Sequence, residues 1–371
     1  MRLPATIPEE IQLVRSPLAQ DHLDRGAALV PYHGAVVPRR FHETRAEYEA
    51  VRSAAGLFDF SFRSKFTLSG EHRVRFLHRI VSNDVKSLAV GQGVYATLLN
   101  AQGRILADLR IYAADDRLWV DSDADLAAKT TVILQRYIIG ERVRVERDGL
   151  ASVAFQGSSA QTVLENLLGE ALGLDREMDH RVMTFRDQAL RVVKLSSTGE
   201  EGYEVWLEPG EAVSLWRAAL EMGAAKGLAP CGAEALEILR IEAGIPRYGP
   251  DLGEDTLPLE AGLLNALNFN KGCYIGQEIV ERARNRGHVN WKLMGLKLEP
   301  DSAVPELGPL TADGKTVGEI TSACFSPRLG RPIALAYLRR EVAEPGLRFA
   351  VTSGSTAEVV ELPFVADGRT R

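Results

Sequence analysis

Cysteine is scarce in this chain: Cys231, Cys273 and Cys324 are the only three among 371 residues. Odd in number and widely spaced, they argue against a disulfide framework and point to a reducing compartment, so the cytoplasm is the expected location. No apolar run reaches the roughly 18 residues of a membrane-spanning helix. Met1 to Glu10 holds no apolar core of signal-peptide length. Charge of one sign is not in large surplus either. The 44 basic and 50 acidic side chains leave a net charge of -6, which argues against a basic nucleic-acid coat while allowing a local basic patch. Low-complexity linkers and internal repeats are absent. So are the GxSxG elbow, HExxH, CxxC and the dinucleotide fingerprint. The seven histidines are scattered, and His42-Glu43 lacks a second histidine one helical turn on, so no metal site is expected.

Hydrophobic residues make up 45% and charged residues 25%, the balance of a globular protein. At about 150 residues per domain, the length fits two or three domains. Residues 45–56 read as a helix, with Tyr48, Val51 and Ala55 on one face and Gly56 closing it. Residues 65–69 alternate as a strand, and 71–81 return to helical spacing through Val74, Leu77 and Val81. A meander follows over 93–99, 104–113 and 118–121, with turn chemistry at 100–103. Ser122 or Asp123 is placed to cap a helix carrying Leu126, Thr130, Ile133, Leu134 and Tyr137. Strands are expected over 142–146 and 151–155, and helices after Ser158 and over 211–226 and 233–243. A loop rich in glycine and proline spans 244–257. From Leu293 onward, short strands and turns suggest a small C-terminal β domain. Within it, Asp313-Gly314-Lys315 reads as a hairpin turn and not a phosphate loop, because five residues separate Gly308 from Gly314. Strands and helices mix without strict alternation, which makes the fold class α+β.

Two constellations stand out. In Asn270-Lys-Gly-Cys-Tyr-Ile-Gly276, Cys273 lies on a glycine-flanked loop feeding a helix over 276–286. Lys271 and the helix's positive end would favour thiolate there; a small packed thiol is the plainer alternative. The same helix carries Glu278 and Arg282 as an i,i+4 pair. With Arg284, Arg286, His288 and Lys292, Arg282 forms either a solvated basic face or a phosphate or RNA contact. The second constellation is acidic. Asp108 sits in a strand, and Glu204 follows Thr198-Gly-Glu-Glu-Gly-Tyr203. There Tyr203, Val205 and Leu207 share one face, which leaves Glu204 and Trp206 on the other, the solvent side by periodicity alone.

With these residues in view the chain resembles the glycine-cleavage T-protein superfamily, which includes aminomethyltransferases using tetrahydrofolate and the YgfZ-type folate-binding proteins. The resemblance spans nearly the whole length. It rests on Phe76-Leu-His-Arg-Ile-Val-Ser-Asn-Asp84, Leu99-Asn-Ala-Gln-Gly-Arg-Ile-Leu-Ala-Asp-Leu109, Thr198 to Glu204, Arg240-Ile-Glu-Ala-Gly244, Lys271-Gly-Cys-Tyr-Ile-Gly-Gln-Glu278 and Ser326-Pro-Arg-Leu-Gly-Arg-Pro-Ile-Ala-Leu335. The KGCYxGQE element is the most specific and marks the YgfZ-type branch. The resemblance implies a three-domain ring around a folate cavity, with a small C-terminal β-barrel domain. Residues 1–57 with 143–240, 58–142 with 241–287, and 288–371 are the expected domains.

By the same resemblance, Asp108 matches the key acid near the N10 side of folate, and Glu204 matches the carboxylate that grips the pterin edge. An ionised carboxylate suits an amidine-like edge, because it accepts two parallel hydrogen bonds. Tyr95, Tyr112 and Tyr248 join them as folate-binding residues, and Cys273 joins Asp108 as a catalytic candidate. The chain departs from the T-protein pattern at Ala107, where an aspartate is usual, at residues 196–200, which lack a tyrosine, and at Leu236, where an arginine is usual. These departures point toward a tetrahydrofolate-binding protein of the YgfZ type that supports iron–sulfur enzymes. An aminomethyltransferase working with a lipoyl carrier protein is the alternative. An RNA-binding module built on Arg282–Lys292 is a further one. Folate, and iron–sulfur proteins or a lipoyl carrier, are the expected partners; nucleic acid and membrane are not.

Overall fold

The computed structural model describes residues 13–312, 315–350 and 355–365, arranged in four sheets. Part of the expected hairpin turn, Asp313-Gly314, and the N-terminal stretch Met1 to Glu10 lie outside these residues. A three-stranded sheet at the start orders Val14–Arg15, Ala35–Arg40 and Ala28–Tyr32. A six-stranded sheet orders His180–Phe185, Gln188–Lys194, Gly202–Leu207, Ala151–Gln156, Ala55–Asp59 and Leu228–Cys231; all pairs are antiparallel except the last. A five-stranded antiparallel sheet orders Gly93–Leu99, Ile105–Ala113, Arg117–Asp123, Arg63–Ser69 and Arg144–Asp148. The C-terminal sheet has six antiparallel strands between Trp291 and Val360, and Gly308–Ala312 pairs with Lys315–Ser326 as the hairpin reading expects.

The first six-stranded sheet and the five-stranded sheet each bury a face under helices. Ala160–Leu168 and Pro209–Gly223 cover the six-stranded sheet, where Phe155, Tyr203, Val205 and Trp216 form one core. Arg73–Ile80 and Ala127–Arg136 cover the five-stranded sheet over Phe66, Leu98, Leu109 and Val120. The opposite faces of the two sheets meet in part: Tyr112 and Trp119 from one pack with Val193 and Trp206 from the other, while helices Thr44–Ser53 and Ala233–Glu242 cover Phe58 and Ala154 on the same side of the six-stranded sheet. That contact corrects the solvent-side reading of Glu204, which is fully buried. Alternation along a strand separates its two faces, but it does not say whether the second face meets water or another sheet.

Other expectations shift for local reasons. The helix read over 45–56 ends at Ser53, and Ala55–Asp59 is a central strand of the six-stranded sheet. All five of its residues are buried, so no alternation betrays it. Gly56 does not close the helix; a Cβ there would lie 2.5 Å from a Val51 methyl and 2.8 Å from the Cys231 sulfur. The helix expected after Ser122 or Asp123 has no side-chain cap and opens with a 3-10 turn, Ala124–Leu126. Asp123 is occupied by Arg63 instead.

The loop over 244–257 is well anchored. Asp251 accepts hydrogen bonds from Arg240 at 2.6 Å, Thr321 at 2.6 Å and Ser322 at 2.7 Å. It thereby ties helix Ala233–Glu242 to the C-terminal sheet. No helix among the described residues is long and apolar enough to cross a membrane.

Candidate functional site

The seam between the two sheets is charged because of strand parity. On Ile105–Ala113 the residues Ala107, Leu109, Ile111 and Ala113 join the helix-covered core. Asp108, Arg110 and Tyr112 therefore face the seam. Register pairs Arg63 with Asp123 and Lys65 with Asp121, which brings all four to the same side. Glu204 and Trp206 approach from the six-stranded sheet. Five carboxylates (Asp108, Asp121, Asp123, Asp125 and Glu204) thus share this region with three cations, Arg63, Lys65 and Arg110.

Asp121 is the hub. It accepts from Arg63 Nη2 at 2.8 Å, from Lys65 Nζ at 2.9 Å and from Arg110 Nη1 at 3.4 Å. Burial pushes its carboxyl upward, but Arg63, Lys65 and Arg110 outweigh that and hold it at about 2. Glu204 Oε2 accepts from the Trp206 indole at 2.8 Å, and Lys65 Nζ stands 3.9 Å from the same oxygen. Its other oxygen, Oε1, has no hydrogen-bond partner, although Arg110 Nη1 lies 3.6 Å away.

Asp108 has the opposite electrostatics. Burial raises its carboxyl above the usual range and the charge of Asp123 adds to that, against the pull of Arg63 and Arg110. The Tyr95 hydroxyl donates to Asp108 Oδ2 at 3.1 Å, while Oδ1 is buried without a partner. Tyr95 pairs in register with Arg110, so it reaches Asp108 diagonally across the two strands.

Where the seam opens, a cavity of about 570 Å³ is lined by Tyr95, Asp108 and Arg110, by the apolar Met178, Leu195, Ile245 and Leu263, and by residues 292–294 and 361–363. That size suits a small organic molecule, for which pockets run from about 300 to 1,000 Å³. Tyr112 and Glu204 lie behind this wall; the Tyr112 hydroxyl is also buried without a partner. Asp108 Oδ1, Glu204 Oε1 and Tyr112 Oη are all buried without a hydrogen-bond partner, and of these residues Asp108 lines the cavity. A folate-like molecule fits this lining: the Asp108 carboxylate as an acceptor for an N–H group, and apolar walls for its flat body.

Tyr248 is not among the lining residues, and its hydroxyl accepts from Lys129 at 2.9 Å. Cys273 is exposed, away from the lining, and all three cysteines are free. Lys271, expected to act on the Cys273 thiol, is engaged elsewhere. Lys271 turns inward and donates to the carbonyls of His78, Val81 and Asn83, the last two at 2.6 and 2.9 Å. Helix Gln277–Asn285 begins four residues beyond Cys273. Burial lowers the Lys271 amine to about 8, and its role is to fasten the C-terminal end of helix Arg73–Ile80. Lys271→Met is expected to cost about 1–3 kcal/mol, because three carbonyls lose their donor. A urea midpoint that does not move would remove this role. On the basic helix, Arg282 pairs with Glu278 at 2.7 Å, and Arg284 stacks on Phe269 at 4.0 Å.

Sequence reasoning missed Arg110, Lys65, Arg63 and Asp121. The available signal was parity within each strand: Arg110 stands two residues from Asp108, Asp121 two from Asp123 and Lys65 two from Arg63, and register puts Arg110 opposite Asp121 and Asp121 opposite Lys65. Two departures from the T-protein pattern also look different in the fold. Ala107 belongs to the helix-covered core, so an aspartate there would turn away from the cavity. Leu236 packs in another core, with Tyr48 and Phe58.

Comparison with known proteins agrees with the fold. Residues 18–271 match the GCVT N-terminal domain, and residues 292–366 match the glycine cleavage T-protein C-terminal barrel domain. An aminomethyltransferase of Halothermothrix orenii is 32% identical over 357 residues, covering 95% of this chain and 99% of its own. One from Rubrobacter xylanophilus is 35% identical over 359 residues, covering 95% and 94%. The crystal structure of glycine cleavage system aminomethyltransferase T from Bartonella henselae superposes with a TM-score of 0.88 at 26% identity, over 96% of this chain and 99% of that one.

Proposed function

The chain belongs to the glycine-cleavage T-protein family, and on that premise we propose that it is an aminomethyltransferase that passes a one-carbon unit from a lipoyl carrier protein to tetrahydrofolate. The observation that carries this reading is the unpartnered Asp108 oxygen on the wall of a cavity backed by the unpartnered Glu204 oxygen. Tetrahydrofolate supplies the accepting amine. Glu204 accepts from the pterin's amino and ring N–H edge once Arg110 gives up its 3.6 Å approach to that carboxylate. Asp108, oriented by Tyr95, stands at the amine and stabilises positive charge as it develops. Met178, Leu195 and Leu263 keep water from the reacting carbon.

A second reading, support of iron–sulfur enzymes in the YgfZ manner, is favoured by one observation: Cys273 is exposed on an irregular loop. A lone thiolate supplies only one of about four cluster ligands, so this role needs a partner.

One experiment separates the two. Tetrahydrofolate is titrated calorimetrically into the parent, Glu204→Ala and Cys273→Ala chains, and ammonia release is followed with an aminomethyl-loaded lipoyl carrier. Binding is expected to vanish in Glu204→Ala and to persist in Cys273→Ala, with ammonia released by the parent. Binding without ammonia release would leave the second reading; no binding by the parent would remove both.

A further inference from the structure

We propose that His33, Asp123 and Asp125 form a binding site for a single divalent transition-metal ion. His33 Nδ1 lies 3.3 Å from Asp123 Oδ2 and 3.6 Å from Asp125 Oδ2. One donor atom from each residue falls within 4.8 Å of the other two. One imidazole and two carboxylates suit a first-row dication, whose ligands sit at about 2.0–2.2 Å.

Proximity of acids alone would not make a site, and two further observations point to a ligand. The His33 side chain is only 8% exposed, yet its Nδ1 has no hydrogen-bond partner and is aimed between the carboxylates. Asp125 Oδ1 is likewise unpartnered. A buried imidazole nitrogen set 3.3 and 3.6 Å from two carboxylates is held there either by a proton, as an ion pair, or by a cation that bridges all three. Charge points to the cation. The seam holds two more carboxylates than cations, and Arg247, whose charge reaches Asp123 and Asp125, and Arg240 each bring a carboxylate of their own, Glu237 at 2.6 Å and Asp251 at 2.6 Å. One dication closes that gap.

The backbone presents the ligands rigidly. His33 sits at φ +45°, and a Cβ on Gly34 would lie 2.3 Å from the Asp125 backbone nitrogen, so the two turns are pressed together. Asp123 Oδ1 is used by Arg63, which leaves Oδ2 for the ion. Asp125 keeps 31% of its side chain exposed, so water can complete the coordination shell.

The test needs no substrate and does not depend on aminomethyl transfer. The full chain, stripped with chelator, is titrated with cobalt(II) chloride and followed by calorimetry and visible absorption. One equivalent is expected to bind. The dissociation constant should rise at least tenfold in His33→Asn, chosen because asparagine tolerates positive φ, and in Asp125→Asn, which keeps the side chain's shape. Circular dichroism checks that both variants are folded. No stoichiometric binding by the parent, or parent-like affinity in either variant, would overturn the site.

Discussion

An Asp121→Asn chain is expected to lose about 3–5 kcal/mol of stability, the cost of leaving buried charges without their counter-ion. Three cations converge on this one fully buried carboxylate. Asparagine keeps one acceptor, but it removes the charge and turns an N–H donor toward the three cations that Asp121 holds. The loss is comparable to a large part of what a domain holds in reserve. The contrast is Asp116→Asn. Asp116 pairs with Arg117 at a shorter 2.6 Å, but both side chains are largely exposed, so that change should cost less than about 1 kcal/mol. Urea titrations of the two variants measure the difference; equal midpoints would mean that the seam charges are not coupled as described. Acid should act on the same group. Its pKa is depressed from 3.8 to about 2, so its contribution is complete above the unfolded carboxyl's range and is lost as the pH falls through about 2.

Asp108→Asn is expected to lower the rate of ammonia release by 10²- to 10⁴-fold, the usual range for removing a positioned acid–base group. Tetrahydrofolate affinity should change less than about tenfold, because the amide still accepts from Tyr95. A fall in kcat with little change in binding distinguishes a group acting in the transition state from one that only grips the ligand. A variant with near-parent turnover would leave Asp108 as a binding residue alone.

The parts of the fold that could be read from sequence are those whose two faces differ in polarity. The meander over 93–123 was legible because Leu109 and Ile111 alternate with polar neighbours, and Asn100-Ala-Gln-Gly103 supplies a turn. Ala55–Asp59 was not, since every position is buried. The hairpin His180–Phe185 with Gln188–Lys194 turns through Arg186 and Asp187, both at positive φ, where neither glycine nor asparagine announces it. At the site, Asp108 and Glu204 emerged from family resemblance, whereas Lys65 and Asp121 did not emerge at all. A lysine on the polar side of an alternating strand looks the same whether that side meets solvent or a second sheet, and only the packing of the two sheets decides.

The wall of the cavity is drawn from residues near 95–110, 177–196, 243–265, 292–294 and 361–363. No contiguous stretch holds more than a piece of it. During folding the pocket therefore exists only after contacts between segments as far apart as Tyr95 and Pro363 have closed, and such distant closures come late. The meander can form early and by itself. The binding surface cannot, and a nick anywhere between Tyr95 and Pro363 that lets one segment swing away would dismantle it while leaving most of the secondary structure intact.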